Sequence, residues 1–370
     1  MSSPNPFGQQ PQTYSQPPQG YGQPMPGGFP PPQARRGPSC LTMVIMVMGG
    51  GMIVVGLLCC GGMMMLARPP EASAAAKEPF QLDDVPPPRL PGPAQGREIA
   101  PRVLQFEYSL GEEGGYYNTP GHGGKLLVYV PTGKHKAKSL PCILITGAGS
   151  DLLSGMLLGE GDNPEQTPYA QAGYAVVAYE LDGPSSDRGA DPSEMKRAYE
   201  AFRASRAGLV NARNALEFAL AKVPEVDPGQ IYAAGHSSAA THALLFAEHE
   251  PRLAGVIAYA PAVNVPERFG PALRVFEMQL PGVVDFATQS SPHTHRQRLK
   301  CPTFLFHAED DSNCPIAATR KFAEELKEQG TDVTLVTVAT GNHYNSMISE
   351  GIPAAIKWLR ERERMKQAAL

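Results

Sequence analysis

The chain has 370 residues, 42% apolar and 18% charged, with 32 Lys+Arg against 36 Asp+Glu for a formal net charge of -4. That length allows one large domain or two ordinary ones, and the near-balanced charge lacks the concentrated basic excess of a nucleic-acid binder, so no nucleic-acid partner is expected. The 38 Gly and 38 Pro exceed ordinary usage and gather at the N-terminus.

Residues 1–40 hold 11 Pro, 7 Gln and 6 Gly, no Asp, Glu or Lys, and only Arg35 and Arg36 as charges. So few apolar side chains cannot offset the entropy of ordering, and a disordered tail is expected. The spaced aromatics Phe7, Tyr14, Tyr21 and Phe29 could act as weak stickers, although a solvated tail has the same composition. Residues 41–67 then run LTMVIMVMGGGMIVVGLLCCGGMMMLA without a charge. At about 1.5 Å per residue these exceed a hydrocarbon core of roughly 30 Å. A cleavable signal peptide would begin nearer residue 1 and be shorter, so an uncleaved single-pass transmembrane helix is expected. The residue before Cys59 is Leu58 and that before Cys60 is a cysteine, which does not suit a lipid-attachment signal. Arg35 and Arg36 before the span are opposed by Arg68 and Lys77 after it, a slight bias for a cytoplasmic tail and a catalytic domain on the non-cytoplasmic side. Residues 68–97 read as a Pro-rich linker, a semi-rigid spacer between membrane and domain.

Residues 98–370 alternate short β-branched runs with longer amphipathic stretches. Strands are predicted over 103–108, 125–130, 142–146, 175–180, 231–234, 255–259, 303–307 and 333–338. Helical patterns separate most of them from the third onward, which implies a mostly parallel eight-stranded sheet with helices on both faces, an α/β domain. One long helix follows the fourth strand. Asp191 is its cap, Pro192 its first residue, Glu194 lies three after the cap, and Met195, Tyr199, Phe202, Leu209 and Leu216 form its core stripe. The last helix carries Trp358 beside a mixed-sign run, read as packing with a solvated face. Cys142, Cys301 and Cys314 lie in this domain, and the last two flank a strand that would hold them too far apart to bridge.

The most informative stretch is Gly235-His236-Ser237-Ser238-Ala239, placed between the apolar run ending at Ala234 and an Ala/Leu-rich helix. A sharp strand-to-helix turn exposes the serine hydroxyl, and small flanking residues let the backbones approach. After the next-to-last strand the chain reads Glu309-Asp310-Asp311 and closes at Pro315; after the last it reads Gly341-Asn342-His343. Both segments fall at the carboxyl ends of parallel strands, where open α/β sheets bind ligands, and the chain order is serine, acid, histidine.

On these motifs residues 98–370 resemble an α/β-hydrolase, specifically the dienelactone-hydrolase-like and prolyl-oligopeptidase (S9) catalytic domains. In the family the segment before the acid reads roughly H-G-x-x-D-x-x-V-P, which aligns His307 and Pro315 and places the acid on Asp311, with Asp310 and Glu309 as fallbacks. The resemblance makes Ser237 the nucleophile and His343 the base. Two positions depart from the pattern: Thr146-Gly147-Ala148-Gly149 stands where the family has His-Gly, and Ala239 replaces a glycine. An oxyanion hole is built of main-chain donors, so the N–H groups of Ala148 and Ser238 are expected to form it.

His293, His295 and His307 lack a convincingly spaced further ligand, so no metal site is expected. His236 and His242 are expected to pack or line the pocket, and no dinucleotide fingerprint or other cofactor is implied. The resemblance implies a small-molecule ester or peptide substrate. Peptide-cleaving relatives carry a large gating propeller, and the residues upstream here read as tail, anchor and linker, which favours an ester. An S9-type peptidase is the alternative, and a non-catalytic membrane-tethered binding protein is the alternative of another class.

Overall fold

Nine strands form one sheet in the computed structural model, which describes residues 79–85, 87–110, 124–185 and 191–368. The expected disordered tail and the transmembrane helix over 41–67 lie outside the described residues. No helix among the described residues is long and apolar enough to cross a membrane. The strands are β1 (Arg97–Ala100), β2 (Val103–Ser109), β3 (Lys125–Pro131), β4 (Leu140–Thr146), β5 (Ala175–Tyr179), β6 (Val226–His236), β7 (Gly255–Tyr259), β8 (Thr303–Ala308) and β9 (Val333–Val338). Their spatial order is β1-β2-β3-β5-β4-β6-β7-β8-β9. Pairings from β1 through β3 to β5 are antiparallel, and those from β5 through β4 to β9 are parallel.

The alternation that marked the strands sorts their side chains onto two faces. Cys142, Leu144, Val177 and Ala233 point to one, under α3 (Leu209–Lys222) and α4 (Ser238–His249). Ile143, Ile145, Val176 and Ala234 point to the other, under α1 (Asn163–Gln171) and α10 (Ile352–Ala368). Trp358 of α10 is buried against Tyr232 and Phe304, with the Arg362 guanidinium 4.5 Å over its ring. Four short helices, α5 (Val265–Phe269), α6 (Ala272–Glu277), α7 (Val283–Gln289) and α8 (Pro292–His295), fill the connection from β7 to β8. Helix α9 (Ile316–Glu328) joins β8 to β9.

Three expectations are corrected. The sheet has nine strands and not eight: β1 is a half-exposed edge whose sequence Arg-Glu-Ile-Ala has no alternation, and it forms by turning back on β2. The long helix is two, α2 (Pro192–Ala204) and α3, because Arg206, Ala207 and Gly208 all take positive φ. A Cβ on Gly208 would lie 2.7 Å from Leu181, so the break is shaped by tertiary contact. Finally, residues 79–85 of the linker are docked on the domain. Leu82 is buried, its carbonyl accepts from Arg213 at 2.8 Å, Phe80 N–H donates to His249 Nε2 at 3.2 Å, and Arg206 pairs with Asp84 at 2.7 Å. The apolar pair Phe80 and Leu82 gains more from burial than from serving as spacer.

Candidate active site

Strand β6 ends at His236 and α4 begins at Ser238, so Ser237 is the whole turn between them. Its φ of 55° and ψ of -119° lie where a residue with a side chain is held at a cost of about 1–3 kcal/mol. The Tyr259 carbonyl of β7 accepts from Ser237 N–H at 2.8 Å and steadies the turn. A Cβ on Gly235 would lie 2.3 Å from the Ala239 main chain, so strand and helix cross where only glycine fits. The methyl of Ala239, the departure from the family glycine, is accommodated and buried.

Ser238 Oγ accepts from Gly149 N–H at 3.0 Å and Ser150 N–H at 3.1 Å. These bonds pin the loop after β4, and with it Ala148, against the elbow. The pinning hydroxyl was missed in the sequence, where Ser238 was valued for its main chain alone.

The three adjacent carboxylates after β8 diverge. Glu309 points outward and pairs with Arg320. Asp310 accepts from Asn342 N–H at 2.8 Å and Gly341 N–H at 3.2 Å. Asp311 turns inward, where its Oδ1 accepts from Asn313 N–H at 2.8 Å and Cys314 N–H at 2.9 Å. Its Oδ2 lies 2.7 Å from His343 Nδ1 and 3.1 Å from His307 Nε2. Burial alone would push this carboxyl up; hydrogen bonds from His307, His343 and Cys314 outweigh it and hold Asp311 well below the usual carboxylate range. Asp310 is therefore more than a fallback acid: it grips the turn at Gly341 and Asn342, both at positive φ, from which His343 projects. His307 also has a role that spacing could not assign. Its Nδ1 meets Thr319 Oγ1 at 3.0 Å, and its Nε2 is shared between Asp311 and the Cys314 carbonyl at 2.7 Å.

The structure thus brings Asp311 and His343 into contact, and His236, next to Ser237 in the chain, packs its ring 4.7 Å from that of His343. His343 Nε2 is buried and has no hydrogen-bond partner among the described residues, so it does not yet hold the Ser237 hydroxyl. Such bonds are often long without substrate and tighten when it binds. The open lone pair is what a general base needs.

His236 packs its ring 4.7 Å from that of His343, and its Nε2 donates to the His343 carbonyl at 2.8 Å. Burial and the neighbouring His343 push His236 down to about 4, so the ring is neutral. His242 is buried beneath the elbow between the Ala207 carbonyl at 3.0 Å and Tyr179 Oη at 3.1 Å. His293 faces Glu325, His295 reaches the Gln289 carbonyl and His307 serves Asp311, so the three histidines weighed as metal ligands are not brought together. Among the described residues no cluster of His, Cys, Asp and Glu could hold a metal ion.

An imidazole held by a buried carboxylate through one ring nitrogen, with the other free, can take a proton from a hydroxyl and return it to a leaving group. Against known proteins, the sequence profile of the prolyl oligopeptidase family matches residues 163–362. No curated sequence relative matches. Among solved structures the chain is similar to an acetyl xylan esterase from Paenibacillus sp. R4, at 16% identity and a TM-score of 0.54 over 73% of this chain and 88% of that one. It is also similar to an acylaminoacyl peptidase from Pyrococcus horikoshii, at 15% identity and a TM-score of 0.52 over 72% of this chain and 42% of that one. This chain therefore spans less than half the length of that peptidase. Identities this low establish a shared fold.

Proposed function

The chain belongs to the prolyl oligopeptidase family and is a serine hydrolase, and on that premise we propose that Ser237 is its nucleophile, His343 its general base and Asp311 the orienting acid. The single observation that carries this reading is the 2.7 Å hydrogen bond between His343 Nδ1 and Asp311, which leaves Nε2 as the open acceptor. The Ser237 proton passes to His343 Nε2 as Oγ attacks the substrate carbonyl carbon. The N–H groups of Ala148 and Ser238 hold the oxyanion, supported by the positive end of α4. His343 then gives the proton to the leaving oxygen or nitrogen, and a water activated by the same nitrogen releases the acyl group from Ser237.

We read the substrate as a carboxylic ester, as for the acetyl xylan esterase whose fold this chain shares. The family match itself favours the second reading, a peptidase of the S9 type. The charge-free run 41–67 supports a single-pass anchor, and the slight bias of Arg35 and Arg36 against Arg68 and Lys77 supports a catalytic domain on the non-cytoplasmic side. The test combines labelling by a fluorophosphonate probe with hydrolysis of p-nitrophenyl acetate and of a fluorogenic peptide. Ester turnover and labelling, both abolished by Ser237→Ala, are expected. Peptide turnover alone would select the second reading, and full labelling of Ser237→Ala would reject the nucleophile. For the anchor, the full chain is expected to stay with membranes through alkaline carbonate washing, and release into the wash would reject it.

A further inference from the structure

Glu165 of α1 has no part in the chemistry above, yet it is buried on the far side of His236 from the catalytic loop. His236 Nε2 is 2.8 Å from the His343 carbonyl oxygen. A carbonyl only accepts, so Nε2 carries the ring proton and the Nδ1 of the neutral ring is a bare acceptor. That Nδ1 is buried, has no hydrogen-bond partner among the described residues, and lies 4.0 Å from Glu165 Oε1. A buried acceptor facing a carboxyl is satisfied only if the carboxyl keeps its proton and closes the gap to about 2.9 Å, a small side-chain adjustment.

We propose that protonated Glu165 donates to His236 and that the pair positions the His343 loop, so that turnover falls when Glu165 gives up its proton. This rests on the reading of His343 as general base. Glu165 and His236 are positioning residues, acting through the His343 main chain and ring and touching no substrate. The groups facing the pair agree with it. Burial first, and the negative charge of Asp162 second, push Glu165 up to about 8. Tyr169 of the same helix and Tyr259 of β7 hydrogen-bond to each other, and both are pushed well above the usual phenol range by burial. The loop after β9 presents His343 and Tyr344, whose ring is 5.5 Å from that of His236, and burial raises the Tyr344 phenol as well. Asp311 acts on His236 from behind His343, and Lys125 of β3 faces Asp162. Of these, Glu165 is the group placed to ionise just above neutrality and turn a donor into a charge against the Nδ1 lone pair.

The test uses the full-length protein and p-nitrophenyl acetate, with kcat and KM measured from about pH 5.5 to 9.5, a span that covers both limbs of a bell-shaped profile. Wild type is expected to lose at least roughly threefold in kcat above about pH 8 as the donor is lost. Glu165→Gln donates at every pH, so its profile, scaled to its own maximum, should stay flat on the alkaline side. Glu165→Met donates at none, and its kcat should fall across the range with KM within about twofold, the mark of an interaction that serves the reaction step and not substrate binding. An alkaline limb that is absent from wild type, or that persists unchanged in Glu165→Gln, overturns the proposal. Should Glu165→Gln fail to fold by thermal melting, His236→Phe removes the acceptor, and a surviving alkaline limb there overturns it equally. Fluorophosphonate labelling of wild type separates the two levels: no labelling would sink the catalytic reading itself, whereas normal labelling with a Glu165-independent profile sinks only this inference.

Discussion

Changing Asp311 to Asn should cost far more than the loss of one charge, because the surroundings dictate how the amide must lie. The side-chain position now held by Oδ1 receives two main-chain donors, Asn313 N–H and Cys314 N–H. An NH2 placed there would face two other N–H groups, so the asparagine oxygen must take that position. The NH2 then occupies the place of Oδ2, 2.7 Å from His343 Nδ1. There it donates, which forces the His343 proton onto Nε2, the nitrogen that must accept from Ser237. The base is held in the wrong tautomer while its geometry survives. In the worked serine-protease triad the same substitution costs about 10⁴ in kcat, equivalent to about 5 kcal/mol of barrier. His307 Nε2 would also face the new NH2, but it keeps the Cys314 carbonyl at 2.7 Å, so folding should survive. The assay is kcat/KM on an aryl ester beside the rate of fluorophosphonate labelling, with thermal melting as the folding control. A loss of at least about 10³ is expected. A folded Asp311→Asn protein that loses less than tenfold would refute the tautomer argument and with it the role of Asp311.

The neighbouring carboxylates should separate cleanly from Asp311. Asp310→Asn can satisfy only one of the Gly341 and Asn342 amides, and at roughly 1.5–3 kcal/mol for a charged hydrogen bond its kcat/KM should drop about tenfold or more. Glu309→Gln loses a surface pair with Arg320, worth about 0–1 kcal/mol at most, and its activity should match wild type within about twofold. Gly235→Ala places a Cβ 2.3 Å from the Ala239 main chain, a contact that only backbone movement relieves; an insoluble protein or a sharply lower Tm is expected, and an unchanged Tm would contradict the crossing described. Leu82→Ala in the full chain should lower stability by about 2 kcal/mol in denaturant unfolding, since Leu82 is buried where the linker docks. A linker standing free of the domain would show no change.

Much of this protein was legible in its residues. Alternation in Ile143 and Ile145 against Cys142 and Leu144 marked a strand buried on both faces, and so did its counterparts along the parallel half of the sheet. The run Gly235-His236-Ser237-Ser238-Ala239 marked the turn because a strained serine needs small neighbours on both sides, a local requirement written in consecutive residues. The resemblance to the family motif picked Asp311 from three adjacent acids, with Asp310 and Glu309 as fallbacks, and Asp311 is the carboxylate against His343. Other features depend on partners far away in the chain. Strand β1 exists only because β2 offers it an edge. The helix predicted across Arg206 to Gly208 breaks where all three residues take positive φ, at a point where Gly208 packs so closely on Leu181 that a Cβ would lie 2.7 Å from it. The grip of Asp310 on the His343 turn, the brace from His236 and the docking of Leu82 on α3 join residues separated by 31, 107 and 131 positions. Period and turn chemistry are properties of neighbours, so sequence determines them alone. Which donor meets which acceptor is decided by the closure of the fold, because burial makes an unpaired polar group costly and supplies a partner only in three dimensions.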